Sequence, residues 1–121
     1  MNAAALALIA LGGALGSTLR ALVGWAIPAR ALPWGTVVAN IAGSFLIGWL
    51  MARFSALGPA SVRAHAFWVV GVCGGFTTFS SFSWQTVELF HRGAVGAALA
   101  NVALSLIACL FATWLGWRLA Q

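Results

Sequence analysis

The chain alternates between long apolar runs and short segments that contain prolines, glycines or polar residues. Four of the apolar runs are long enough to cross a bilayer as a helix, which takes about 20 residues. The pattern predicts membrane spans at about residues 3–27, 34–53, 64–90 and 95–119. We therefore expect an all-α integral membrane protein with a single four-span domain over residues 1–121.

The third apolar run is interrupted in its middle. Residues 74–83 read Gly-Gly-Phe-Thr-Thr-Phe-Ser-Ser-Phe-Ser. Each glycine costs a helix about 1 kcal/mol relative to alanine, and the hydroxyl side chains compete for backbone hydrogen bonds. The segment predicts a break in the third helix at membrane depth. Irregular backbone is tolerated there only where protein buries it or where it lines a cavity, so we expect a site at the break.

Polar side chains also follow one face of the second and fourth spans. The second-span stripe includes Asn40, and an amide in the hydrocarbon region is expected to face the protein interior. Asn40 either makes an interhelical hydrogen bond or contacts a ligand or ion, and the sequence leaves both interpretations open. The stripes read Thr36, Asn40, Ser44 and Gly48 in the second span, and Asn101, Ser105, Cys109 and Thr113 in the fourth.

Arg20 lies unusually deep in the first span, about two helical turns before Pro28. Such a charge is expected to face protein or water, or to extend towards the membrane surface. One interpretation is an arginine paired with backbone carbonyls or directed to the interface. The other is an arginine at the mouth of an anion pathway.

Composition narrows the class of protein. The chain is 63% hydrophobic and 6% charged, with a mean hydropathy of +1.02, whereas a soluble domain carries about 25% charged residues. The net charge of +5 comes from arginines scattered near span ends, which indicates membrane flanks rather than nucleic-acid binding. The sequence has no carboxylate pair, metal-ligand cluster or activated nucleophile, so we do not expect an enzyme.

The arginines are balanced between the two sides of the membrane that four spans define. Loop arginines and lysines normally set orientation, and a zero bias predicts insertion both ways up. Two oppositely oriented copies could then pair as a dual-topology, antiparallel homodimer. The alternative is that some other element of the chain fixes the orientation. The two groups of three are Arg53, Arg63 and Arg118 against Arg20, Arg30 and Arg92.

The polar groups of the spans are mostly neutral donors, which suits an anion. Phenylalanine rings have electropositive edges, so Phe76, Phe79 and Phe82 could present ring edges to an anion, although aromatic repeats more often pack in a core. A broken helix also exposes backbone carbonyls that can hold a cation. A small multidrug-type antiporter is disfavoured because no acidic residue lies mid-span. A structural membrane protein without transport is the other alternative.

Three motifs resemble the Fluc (CrcB) fluoride channel family. Residues 74–82, Gly-Gly-Phe-Thr-Thr-Phe-Ser-Ser-Phe, are similar to the hallmark of that family. Residues 34–45, Trp-Gly-Thr-Val-Val-Ala-Asn-Ile-Ala-Gly-Ser-Phe, resemble its second-span motif, and residues 12–20 resemble its first-span motif. Glu88, Arg92 and Gly93 stand where the family closes its third span. The resemblance covers nearly the whole chain.

The resemblance implies passive, selective fluoride efflux through two pores of an antiparallel dimer in the bacterial inner membrane, where the protein would protect the cell from fluoride toxicity. It also implies a structural, central Na⁺ at the dimer interface, held by backbone carbonyls of Gly74 and Thr77. Arg20 would lie at a vestibule. The expected partners are fluoride, sodium, membrane lipid and a second copy of the chain. The residues implied for the fluoride pathway are Asn40, Ser44, Phe79, Ser81, Phe82, Ser105 and Thr113.

Two positions depart from the family pattern. Asn101 stands where many members have tyrosine, and Cys109 stands where serine is common. An asparagine still donates hydrogen bonds, whereas a thiol donates weakly. We therefore expect the polar track of the fourth span to be altered at Cys109.

Overall fold

Apolar helices account for most of the structure. The computed structural model describes residues 2–121, apart from the side chains of residues 59 and 60. Within that part of the chain, four helical stretches are long and apolar enough to cross a membrane, which confirms the prediction of an all-helical protein with four candidate spans. We label the helices α1 (Ala3–Ala26), α2 (Trp34–Leu57), α3 (residues 62–76), α4 (Phe79–His91) and α5 (Val95–Leu119). The third span consists of α3 and α4.

Helix ends follow local chemistry. The Asn2 side chain accepts from the backbone N–H of Ala5 and caps α1. Helix α2 extends four residues past the predicted end at 53, and it stops at Gly58, whose φ of +60° favours glycine. A 3₁₀ turn, Gly58–Ser61, then leads into α3. Gly93, with a φ of +76°, ends α4 in the same way.

Helix α3 is not a regular α-helix. It begins as Val62–His65, continues as a π-helical stretch over Ala66–Cys73 and ends with the α-helical turn Gly74–Phe76. π-helical stretches are rare and often occur at functional sites. Here the stretch ends one α-helical turn before the break in the third span.

Glycines bring α1 and α3 into direct backbone contact. A Cβ at Gly12 would meet the Phe67 carbonyl, and a Cβ at Gly75 would meet the Gly13 carbonyl at 2.5 Å. Small residues at such a crossing let two membrane helices approach closely. Helices α2 and α5 cross in the same manner, because a Cβ at Gly48 would meet the Thr113 carbonyl.

The break in the third span is shorter than the sequence predicted. The prediction placed it at residues 74–83, but only Thr77 and Thr78 leave the helical conformation, with ψ angles of 156° and 115°. Gly74 and Gly75 stay helical, and Gly75 serves the close approach to α1 instead. The serines that follow lie inside α4, where Ser83 donates to the Phe79 carbonyl at 2.8 Å.

Large apolar side chains cover the outside of the molecule. Phe79, Ile107 and Leu110 are 74%, 70% and 71% exposed, respectively. A soluble monomer rarely exposes so many large apolar side chains, so we expect the outer surface to meet lipid or another protein chain. The interior contains a small cluster of Leu50, Val69 and Cys73.

Candidate functional site

A cavity of about 450 Å³ lies beside the break in the third span. Helices α2, α3, α4 and α5 all contribute to its wall, which is mainly apolar with a few polar groups, as is usual for ligand sites. Seven of the ten residues singled out from the sequence meet here. They are Asn40, Ser44, Gly74, Thr77, Phe79, Phe82 and Ser105.

Asn40 binds the broken backbone directly. Its Nδ2 donates to the Thr78 carbonyl at 3.0 Å, and its Oδ1 accepts from the Thr78 N–H at 2.7 Å. The two bonds fix which end of the amide is oxygen and which is nitrogen. The NH₂ group carries a second hydrogen, and no protein acceptor for it occurs among the described residues. The interhelical hydrogen bond expected for Asn40 is therefore present. One N–H of its amide has no protein acceptor in the described part of the chain, and Asn40 lies in the cavity wall.

Threonine side chains hold both sides of the break. Thr77 Oγ1 donates back to the Cys73 carbonyl at 2.8 Å, which closes the end of α3. Thr78 Oγ1 accepts from the Ser81 N–H at 3.1 Å and caps α4. The same hydroxyl donates to Ser81 Oγ at 3.1 Å, so Ser81 belongs to the cap and does not line the cavity.

Two carbonyls at the break lose their usual helical partners. In a continuous helix the N–H groups of Thr78 and Ser81 would donate to the carbonyls of Gly74 and Thr77. Both N–H groups donate to side chains instead, to Asn40 Oδ1 and Thr78 Oγ1. Gly74 and Thr77 therefore present carbonyl oxygens, the hard ligands that suit an alkali cation.

Phe79 and Phe82 lie side by side on the cavity wall. Their ring centroids are 5.3 Å apart and the planes are tilted by 47°. Neither ring is enclosed by the protein, since Phe79 is largely exposed and Phe82 half-buried. Within one chain the ring pair therefore forms an open side of the cavity.

Two serines also contribute to the cavity wall. Ser44 on α2 and Ser105 on α5 both line it. Ser105 is buried, and its Oγ has no hydrogen-bond partner in the part of the chain described. A buried hydroxyl without a protein partner is unusual and marks Ser105 as a candidate ligand contact.

Thr113 and Arg20 lie outside the cavity wall. Thr113 lines an adjoining space of about 440 Å³, which shares Ile47 and Leu110 with the first cavity. Arg20 Nε donates to the Gly75 carbonyl at 3.1 Å, so the carbonyl-paired interpretation of this arginine agrees with the structure. The Ser17 hydroxyl reaches the same carbonyl at 3.5 Å.

Two contributors to the site were not among the site residues predicted from the sequence. Thr78 is the backbone partner of Asn40 and the cap of α4, and its position three residues before Ser81 is the usual spacing of a helix cap. Gly43 admits the side chain of Thr77, because a Cβ there would collide with the threonine methyl group. Its place one turn after Asn40 was the available signal.

Fold and site together define a multi-pass helical membrane protein with a capped helix break beside a mainly apolar cavity that a few neutral polar residues line. Residues 7–117 match the family model described as CrcB-like protein, Camphor Resistance (CrcB). The chain belongs to this family, and the resemblance noted from the sequence is confirmed.

Curated relatives cover nearly the full length of the chain. A protein of Agrobacterium fabrum is 45% identical over 119 residues, which is 96% of this chain and 95% of the relative. One from a strain of Thermus thermophilus is 51% identical over 116 residues, or 93% and 91% of the two chains. One of Opitutus terrae is 50% identical over 113 residues, or 89% and 86%. All three are named fluoride-specific ion channel FluC.

Proposed function

We propose that this protein is a fluoride-selective channel, not an enzyme, and that it lets fluoride leave the cell passively across the bacterial inner membrane. The observation that carries the proposal is the cavity at the break, where Asn40, Ser105 and the two phenylalanine rings come together. Relatives named fluoride-specific channels over nearly the same length supply the identity of the ion. Efflux of this kind would protect the cell from fluoride toxicity.

Fluoride is small and strongly hydrated, so a selective path must replace its water shell. The spare Nδ2–H of Asn40 and the hydroxyls of Ser44 and Ser105 are neutral donors that can do so without trapping the ion as a fixed positive charge would. The positive ring edges of Phe79 and Phe82 add weaker contacts. Ser81 supports the path through the cap of α4, and Thr113 extends it into the adjoining space.

Two copies of the chain, oppositely oriented, would complete the channel as an antiparallel dimer with two pores. The exposed ring of Phe79 and the open side of the cavity support this arrangement, because a second copy or lipid must cover them. The even distribution of arginines supports dual topology. Arg20, held against the Gly75 carbonyl near the break, would then contribute positive charge at a vestibule.

The two carbonyls that the break leaves without helical partners would suit a sodium ion as oxygen ligands. Gly74 and Thr77 would supply two oxygen ligands from each copy, and a two-fold pairing would bring four together at the centre of the dimer. Bound there, the ion would neutralise partial negative charge and hold the two breaks in register. Its role in this proposal is structural.

The proposal is tested by anion efflux from liposomes that contain the purified protein, with fluoride and chloride electrodes read side by side. Rapid fluoride release with little chloride release is the expected result. Absence of fluoride release from well-folded protein would leave the structural alternative standing. An antiporter gains no support from the one acid of the chain, because Glu88 lies near the end of α4 and pairs with Arg92 at 2.6 Å.

A further inference from the structure

A buried polar chain connects α5 to the backbone that carries the ring pair. Asn101 on α5 is fully buried, and its Nδ2 donates to Thr86 Oγ1 at 2.9 Å. Thr86, itself buried on α4, donates the hydrogen of that hydroxyl to the Phe82 carbonyl at 2.7 Å. The hydroxyl has only one hydrogen, so towards Asn101 it must act as an acceptor. The direction of both bonds is thereby set.

Asn101 stands one helical turn from the unpartnered hydroxyl of the cavity. Ser105 follows it by four residues and so lies on the same face of α5. Ser105 Oγ and Asn101 Oδ1 are both buried without a partner among the described residues. One face of α5 thus holds α4 through Asn101 and carries, at Ser105 in the cavity wall, a buried hydroxyl without a protein partner in the described chain.

We propose that Asn101 is a positioning residue for permeation, which acts through Thr86 to hold Phe82 in place relative to the Ser105 hydroxyl. The inference rests on the proposed function, because it assigns the residue to the path of the same ion. Its physical basis is that packed helices transmit small shifts as rigid bodies. Without the bond between α4 and α5, Phe82 and Ser105 would no longer keep their relative positions on the cavity wall.

The test compares the rate of fluoride efflux from liposomes that contain each variant, expressed per amount of folded protein. Asn101→Leu and Thr86→Val each remove the bond with little change in size, and we expect each to slow efflux about tenfold, equal to about 1.4 kcal/mol on the barrier. Because both break the same connection, the double variant should be no slower than either single one, within about twofold. Thr86→Ser keeps the hydroxyl and should restore efflux.

A matched control exists on the same helix. Ser83 donates to the Phe79 carbonyl at 2.8 Å, as Thr86 does to Phe82, but makes no bond to α5 in the described chain. Ser83→Ala should therefore conduct like wild type. A purely structural role of Asn101 would lower thermal stability and leave the efflux rate of folded protein unchanged.

The outcomes separate the two proposals. Wild-type protein that does not conduct fluoride would overturn the proposed function, and this assignment with it. Normal wild-type efflux with an unaffected Asn101→Leu channel would overturn the assignment alone. Independent effects of Asn101→Leu and Thr86→Val would also overturn the assignment; they would slow efflux of the double variant about a hundredfold.

Discussion

Replacing Asn40 with aspartate exchanges one NH₂ group for oxygen and adds a negative charge at the cavity wall. The remaining oxygen can still accept from the Thr78 N–H, whose donor–acceptor distance is 2.7 Å in the wild-type protein. The Thr78 carbonyl, which now accepts from Nδ2 at 3.0 Å, would instead face a carboxylate oxygen. Aspartate therefore removes one hydrogen bond and the spare donor in a single step.

The charge is the larger effect on permeation. Two unit charges about 5 Å apart repel by about 3 kcal/mol at an effective dielectric constant of about 20. A barrier raised by that amount slows passage about 200-fold. The lost hydrogen bond contributes about 1 kcal/mol to stability, so the protein should still fold.

The assay is fluoride efflux from liposomes that carry Asn40→Asp, with Asn40→Leu as the uncharged control of similar size. Leucine loses both bonds to Thr78 and should be less stable to heat than aspartate, yet it should conduct better because it carries no charge. Wild-type efflux from Asn40→Asp that elutes like wild type would refute the place of Asn40 in the path. An equal loss of fluoride efflux in both variants would show that the hydrogen bonds between Asn40 and the Thr78 backbone, rather than the charge, control flux.

Three further predictions concern the rings, the helix crossing and the arginine balance. Phe79→Ile and Phe82→Ile should each lower fluoride efflux without changing the elution volume, because they remove ring edges from an exposed wall. Gly12→Ala should destabilise the protein to heat by about 1–3 kcal/mol through overpacking against the Phe67 carbonyl, whereas Gly13→Ala, with nothing within 4 Å, should not. Several lysines added at one terminus should bias insertion and impair efflux, and co-expression of the oppositely biased chain should restore it.

Each of these predictions has an outcome that contradicts it. Normal efflux from both isoleucine variants would remove the ring edges from the path. Equal melting temperatures for Gly12→Ala and Gly13→Ala would mean that α1 and α3 do not cross as closely as described. Full efflux from one strongly biased chain alone would contradict the antiparallel dimer.

Local pattern was enough to infer the helical class, the membrane setting and the presence of a break. Hydrophobic runs of bilayer length leave few alternatives, since a membrane span must satisfy its own backbone hydrogen bonds. The cluster of hydroxyl residues after two glycines likewise indicated where the third span is interrupted. The apolar runs and the hydroxyl cluster are properties of residues that are neighbours in sequence, so they can be recognised without knowing the tertiary structure.

The extent of the break depended on packing between helices. Gly75 looked like a helix breaker, but it remains helical, and glycine is needed there because α1 passes too close for a side chain. Thr77 and Thr78 leave the helix instead, and their hydroxyls cap the two ends. Glycine is favoured both where a helix breaks and where two helices cross closely. The sequence alone therefore does not show which of the two roles a glycine has.

The partners of the polar side chains were also beyond local inference. Asn40 and Asn101 both read as polar residues on interior faces, yet the first holds the backbone at Thr78 and the second holds Thr86. Ser81 carries the same hydroxyl as Ser105 but uses it in the cap of α4. The residue type alone determines whether a side chain can donate a hydrogen bond. Which acceptor it meets depends on how the helices cross, because contacts between residues far apart in the chain form only when those helices pack.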